Sequence, residues 1–121
     1  MLNAGSVADL VHRELQRITD PDLSARIREL LVLPHPVERD WDYGAPCQKF
    51  TCWTVLEDPA SNSGIAYCPK GFGPTYPWGL VLLAGPHLGI GMDSAWHASL
   101  EDAMRNSMAW HGTNPDGYTV P

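Results

Sequence analysis

Proline and glycine restrict what this chain can form after residue 34. The sequence contains eleven prolines and eleven glycines, and most of them follow that position. Proline removes a backbone donor and fixes φ, while glycine weakens a helix, so a region rich in both does not form long helices. We therefore expect helices before residue 34, and strands with shaped loops after it.

Apolar residues recur at helical spacing in the first part of the chain. One stripe predicts a helix over residues 7–18, with Ser6 as its N-cap: Val7, Val11, Leu15 and Ile18. A second stripe predicts a helix over residues 21–33, capped by Asp20 and begun by Pro21: Leu23, Ile27, Leu30 and Leu31. Because each helix is apolar on one face only, residues 1–33 are expected to form a hairpin that packs on another element.

The middle of the chain favours an antiparallel sheet of about four strands. Residues 34–47 are rich in proline and charge and are predicted to be a loop. Four apolar or alternating runs then predict strands within residues 48–92, at 48–57, 65–68, 78–84 and 88–92. The third run is the most apolar and is expected to be central, with the fourth at an edge. Short connections between the runs favour antiparallel pairing.

The C-terminal part predicts one more helix and a tail. Ser99 and Asp102 form a capping-box pattern, and Gly112 is a stop signal, so residues 99–111 are predicted to be helical. Residues 113–121 are polar and are expected to form a tail. The prediction is a single α+β domain over residues 1–121, with helices on one face of the sheet and part of the aromatic set on the other.

Charge and hydropathy exclude several functional classes. The chain has 121 residues, fourteen acidic and eight basic side chains, and a formal net charge of -6. This acidity argues against nucleic-acid binding, which requires a basic surface. No apolar run approaches the roughly 18 residues of a membrane span, and no basic segment followed by an apolar one begins the chain. We therefore expect a cytoplasmic domain that does not bind membranes.

The cysteines give weak evidence for chemistry. The chain has three, Cys47, Cys52 and Cys68, and an odd number without an export signal predicts reduced thiols. Their spacing does not match the close pairs of a structural zinc site, so no metal or other cofactor is predicted. Cys52 and Cys68 are expected to lie in the core. Cys47 lies in an acidic segment, which disfavours a reactive thiolate.

Aromatic residues beside acids are the most unusual feature of the sequence. Five tryptophans all follow residue 40, and several lie in predicted loops, where such side chains are typical anchors of binding surfaces. Together with the acidity, they predict a protein-binding domain, such as an inhibitor or immunity-type protein that neutralises a basic partner. The predicted partner-binding residues are Asp40, Trp41, Asp42, Tyr43, Glu57 and Asp58.

Two alternatives remain open. The first is a small-molecule-binding protein or minor enzyme with a pocket near residues 69–97, lined by Phe72, Tyr76, His87, Asp93, Trp96 and His97. No catalytic motif supports the enzyme, since the segment from Asp93 to His97 lacks a nucleophile elbow. The second alternative is a homodimer formed through an exposed strand or aromatic face.

Overall fold

Two helices precede a sheet, as the apolar stripes predict. The computed structural model describes residues 2–118. The elements are α1 (Ala4–Arg17), α2 (Pro21–Leu30), β1 (Leu31–Asp40), β2 (Lys49–Asp58), β3 (Ser63–Tyr67), β4 (Trp78–Leu82), β5 (Trp96–His97) and α3 (Leu100–Arg105). The strands form one antiparallel sheet in the order β1-β2-β3-β4-β5. The α+β class is confirmed, with five strands in place of about four.

Side-chain caps set the starts of the first two helices. Asn3, not Ser6, is the N-cap of α1: its side chain accepts a hydrogen bond from the Ser6 backbone, and the Ser6 hydroxyl accepts one from Asn3, each at 2.9 Å. The predicted cap at Ser6 is thus the other half of a capping box. Asp20 caps α2 as expected. This helix ends at Leu30, three residues early, because Leu31 already belongs to β1.

The predicted loop over residues 34–47 is wrong for its first half, which belongs to β1. Proline is tolerated there because β1 is an outer strand. The Asp40 N–H donates to the Leu88 carbonyl, and the Asp40 carbonyl accepts from the Ile90 N–H, each at 3.0 Å. Both backbone groups of Asp40 therefore point away from β2. Alternation along the strand gives Pro36 the same outward direction, so its missing N–H removes no bond to β2. The remaining loop, residues 41–48, connects β1 to β2.

Residues 88–92 do not form the predicted edge strand. Their contact with the sheet is a single parallel bridge between Asp40 and Gly89. Gly91 has φ +84°, which interrupts extended backbone directly after Ile90. The run predicted as a central strand is β4, and it lies between β3 and the two-residue β5. The bridge nevertheless brings the segment after β4 back to the outer edge of β1.

Each face of the sheet carries its own core. The helix-side core contains the apolar stripes of the helices and one face of the strands, including Val11, Ile27, Leu56, Ile65, Trp78 and Leu100. The second core, on the opposite face, consists of Cys52, Ala66, Cys68, Val81, Ile90 and Trp96. Trp41, Phe50 and Phe72 pack against the second core. The expectation that the face away from the helices carries aromatic residues is confirmed.

The C-terminal segment is held to the helices. α3 begins after Ser99, whose hydroxyl accepts from the Asp102 backbone at 3.1 Å, but it ends at Arg105 rather than residue 111. The predicted tail is attached through residue 118, since the Tyr118 hydroxyl donates to Asp102 at 2.9 Å and Asn114 accepts from Arg105 at 3.1 Å. Residues 119–121 lie outside the described residues.

Within residues 2–118, no helix combines the length and the apolar character that crossing a membrane requires.

Candidate functional site

The β1–β2 connection places a compact loop at one end of the sheet. The backbone N–H of Trp41 donates to the Gln48 carbonyl at 2.9 Å, which closes the loop at its base. Inside it, Gln48 bonds to Ala45 through both backbone and side chain, at 3.1 Å each. Cys47 has φ +65°, a left-handed conformation that turns the chain into β2. These contacts hold Asp40 to Tyr43 in one region.

A histidine from a distant part of the chain joins this loop. The bridge between Asp40 and Gly89 brings His87 to the end of β1. Its Nδ1 lies 3.2 Å from the Asp40 carboxylate, and its Nε2 lies 3.4 Å from the Asp42 carboxylate. The imidazole ring therefore lies between two acids that both belong to the predicted partner-binding set.

Aromatic rings pack around Trp41 beside the two carboxylates. The centroid of Trp41 lies 5.0 Å from that of Tyr43, 5.1 Å from Phe72 and 5.5 Å from Phe50. These distances and the tilted or edge-on orientations are those of favourable aromatic pairs. Tyr43 remains 58% exposed while its ring contacts the cluster. We call Asp40, Trp41, Asp42, Tyr43 and His87 the acidic–aromatic patch.

The two carboxylates of the patch differ in how far they are compensated. Asp40 lies 3.0 Å from the Lys49 ammonium as well as near His87. A hydrogen bond to Asp40 and the carboxylate charge raise the pKa of Lys49, which keeps this side chain a cation. The Asp42 side chain is 57% exposed, against 29% for Asp40. Asp42 is accordingly the carboxylate more available to an incoming cation.

An open cleft of about 460 Å³ lies beside the patch. Its walls include Asp40, Trp41, Asp42, His87 and the loop from Gly44 to Gln48. Cys47 is exposed in this cleft, so the structure brings a thiol and an imidazole to the same surface.

The other two predicted partner-binding residues lie elsewhere. Glu57 and Asp58 are at the opposite end of β2 from Lys49, about 30 Å away along an extended strand. The Glu57 carboxylate lies 3.7 Å from His35. Asp58 is buried and accepts a hydrogen bond from the Ser61 hydroxyl at 2.7 Å. The predicted set therefore separates into four residues at one end of the sheet and two at the other.

The six residues of the predicted small-molecule pocket do not line one common pocket, although Trp96 belongs to the second core and Phe72 packs against it. Phe72 packs on Trp41 and His87 belongs to the patch, whereas Tyr76 and Asp93 are exposed in separate loops. Trp96 and His97, on β5, are 3% and 4% exposed. Trp96 contributes to the second core and donates from its indole to the Ile90 carbonyl at 2.9 Å.

The sequence places His87 in the alternative pocket rather than in the patch. It also assigns no role to Lys49 and Phe50, which contact Asp40 and Trp41. The contact of residues 88–90 with Asp40 brings His87 to the patch, and the spacing of residues 41 to 87 does not reveal it. Among the described residues, no group of three or more His, Cys, Asp or Glu side chains is arranged to hold a metal ion.

Comparison with known proteins gives no relative for this chain. No protein-family model, curated protein or solved structure matches it significantly.

Proposed function

We propose that this chain is a small acidic protein-binding domain that binds a basic protein through the acidic–aromatic patch. The observation that carries the proposal is the pair of carboxylates, Asp40 and Asp42, on either side of the His87 ring and next to the exposed Tyr43. The net charge of -6 would steer a basic partner toward the domain.

The patch offers two complementary kinds of recognition. A guanidinium or ammonium group of the partner would take the position of His87 and bond to both carboxylates through charge-assisted hydrogen bonds. The faces of Trp41 and Tyr43 would receive the apolar stem or the cation itself. A partner whose active site is basic would be inhibited by being covered in this way, as expected of an inhibitor or immunity-type protein.

Charge reversal within the patch tests the proposal. The tagged chain and the variant Asp40→Lys/Asp42→Lys are used to capture proteins from lysate of the source cells, at low and at high salt. Proteins retained are identified by mass spectrometry, and binding is then measured by calorimetry with the purified partner. We expect one stoichiometric basic partner that is released by high salt and is not retained by the variant.

A matched variant separates the patch from net charge. Asp9→Lys/Asp116→Lys changes the formal charge from -6 to -2, as the patch variant does, but acts on α1 and on the exposed C-terminal segment. We expect this control to retain the partner. Equal retention by both variants would show that the patch is wrong, and equal loss would show that net charge alone is responsible. A partner bound without salt dependence, or no partner, would contradict the proposed function.

A further inference from the structure

Cys52 and Cys68 face each other across β2 and β3. The strands pair Trp53 with Tyr67 and Thr54 with Ala66, so one further step along the ladder brings Cys52 opposite Cys68. Both are free thiols in the second core, with exposed fractions of 0% and 1%. The sequence predicts two separate core residues at these positions, whereas the register makes them neighbours.

The backbone hydrogen bonds around Cys52 and Cys68 show which type of antiparallel pair they form. The backbone N–H and C=O of Asp40 point away from β2. Because this direction alternates from residue to residue along an antiparallel strand, the backbone groups of Val37 point toward β2 and form hydrogen bonds with Cys52. Cys68 donates its N–H to Pro77 at 2.8 Å, away from Cys52. The two cysteines thus form a pair without hydrogen bonds between them, for which the Cα separation is about 4.5 Å. That separation lies within the roughly 4.4–6.8 Å range of disulfides.

A buried arginine lies on the same face. Arg39 pairs with Phe50, two residues before Cys52, so the side chains of Arg39 and Cys52 extend from the same side of the sheet. Arg39 is 1% exposed; its Nη2 donates to the Leu82 carbonyl at 3.0 Å, while its Nε and Nη1 have no partner. Within residues 2–118, no carboxylate forms an ion pair with it.

The guanidinium of Arg39 is buried with two nitrogens unpartnered among the described residues, and burial lowers its pKa. A buried cation is strongly destabilising unless a counter-charge or hydrogen-bond acceptors surround it. Hydrogen bonding with Cys68 and burial raise the pKa of Cys52, and the charge of Arg39 opposes that rise. Hydrogen bonding with Cys52 and with the Lys70 backbone lowers the pKa of Cys68. Cys68 is therefore the thiol whose ionisation is favoured, while the Cys52 Sγ–H donates to the Phe50 carbonyl at 3.8 Å.

We propose that Cys52 and Cys68 form a redox-active dithiol that a small peroxide oxidises to a disulfide, with Arg39 as the positioning residue beside Cys52, the thiol that closes the disulfide. The Cys68 thiolate attacks one oxygen of hydrogen peroxide, the O–O bond breaks, and a sulfenic acid and hydroxide form. The Cys52 sulfur then attacks the Cys68 sulfur. A disulfide forms, and water leaves with the sulfenic oxygen and the thiol proton.

The burial of Cys52 and Cys68 limits which oxidants can reach them. Peroxide is close to water in size and reaches a covered pair through small local openings of the surrounding structure. Glutathione disulfide is far larger and would need β2 and β3 to separate. The expected substrate class is thus a small peroxide rather than a disulfide.

The test uses the full chain with Cys47→Ser, which removes the exposed thiol. The folded protein is treated with hydrogen peroxide, free thiols are alkylated, and the masses of the protein and its peptides are measured. We expect a mass decrease of two hydrogens, a Cys52–Cys68 cross-link, and reversal by a dithiol reductant. We also expect the pH of half-maximal oxidation rate to lie below the ordinary thiol value of about 8.5.

Two variants complete the design. Cys47→Ser/Cys52→Ser should lose the cross-link and stop at the sulfenic acid on Cys68. Cys47→Ser/Arg39→Met, checked for folding by circular dichroism, should close the cross-link more slowly and accumulate the sulfenic acid on Cys68, because the charge that favours ionisation of Cys52 is lost. Arg39→Lys should restore part of the rate.

Several results would overturn the proposal. A folded protein that keeps both thiols in excess peroxide, while the urea-unfolded chain forms the cross-link, would show that the native pair is not redox-active. A pH midpoint at or above the ordinary thiol value would refute the stabilised thiolate, even if the Arg39→Met variant does not fold. An unchanged rate of cross-link formation in folded Arg39→Met would refute the role of Arg39.

Discussion

The indole ring of Trp96 lies directly over Gly79 on the neighbouring strand. These residues pair across β4 and β5, and a Cβ atom built at position 79 would overlap the carbons of that ring. Trp96 is also fixed by its hydrogen bond to Ile90. The absence of a side chain at residue 79 is therefore a packing requirement of the second core.

Gly79→Ala should destabilise the protein. The added methyl group forces Trp96 to move or the strands to separate, and overpacking of this kind costs about 1–3 kcal/mol. Urea denaturation followed by tryptophan fluorescence measures the change in the free energy of unfolding. Gly5→Ala, in the exposed first turn of α1, should change it by less than about 1 kcal/mol. An equal effect of both substitutions would contradict the packing argument.

Arg105→Met should destabilise the attachment of α3. The Arg105 guanidinium is 2% exposed and contacts Asp20, Glu101 and Asn114 at 3.0–3.2 Å. Methionine keeps the volume but none of the charged hydrogen bonds, so we expect a loss of about 2 kcal/mol, measured by chemical denaturation. Arg28→Met, at an exposed position of α2, should change stability by no more than about 0.5 kcal/mol. A larger effect at Arg28 would argue against this network.

Stability should fall as the pH is lowered through the range in which His97 titrates. Burial lowers the pKa of His97 below its ordinary 6.5, with partial opposition from Asp102, and its Nε2 has no partner in the described structure. Between the lowered pKa and about 6.5 the unfolded chain binds more protons at this residue, so the free energy of unfolding decreases with decreasing pH.

Replacement of His97 isolates this effect. His97→Phe should flatten the dependence of unfolding free energy on pH between about 7 and 5, a range set by the ordinary histidine pKa. The exposed His111, replaced by glutamine, is the control and should leave the slope unchanged. A slope that persists in His97→Phe would assign the pH dependence to other groups.

Pro36 of β1 should hinder pairing of a further strand. It is exposed and presents no N–H on the outward side of β1. Pro36→Thr should expose a donor at this edge and promote association with increasing concentration, measured by light scattering. Pro115→Thr, outside the sheet, should not. A Pro36→Thr variant that stays monomeric at every concentration would contradict this role.

The helices were predictable because each depends on apolar residues that lie close together in the sequence. The stripes through Val11 and Ile27 repeat at helical spacing, and both residues are fully or almost fully buried where expected. β1 was missed since Pro34 and Pro36 are loop signals when read alone, and the buried Arg39 breaks the apolar alternation. Only the neighbouring strand shows that these prolines lie at an edge.

The patch was predictable in part for the same reason. Residues 40–43 are adjacent in sequence, so their clustering is local. His87 joins them through a contact across more than forty positions, which spacing cannot reveal. Residues 113–121 were predicted to form a tail because they are polar. The hydrogen bond from Tyr118 to Asp102 that attaches this segment cannot be recognised from the sequence.

β3 supplies both cores from one short strand, with Ile65 on the helix side and Ala66 on the other. Neither half can therefore lose its structure while the other keeps its strand, and unfolding should occur in one cooperative step. A cavity made among the helices would then also increase how often the acidic–aromatic patch opens. Amide hydrogens on both sides of the sheet should exchange at rates set by a common global event.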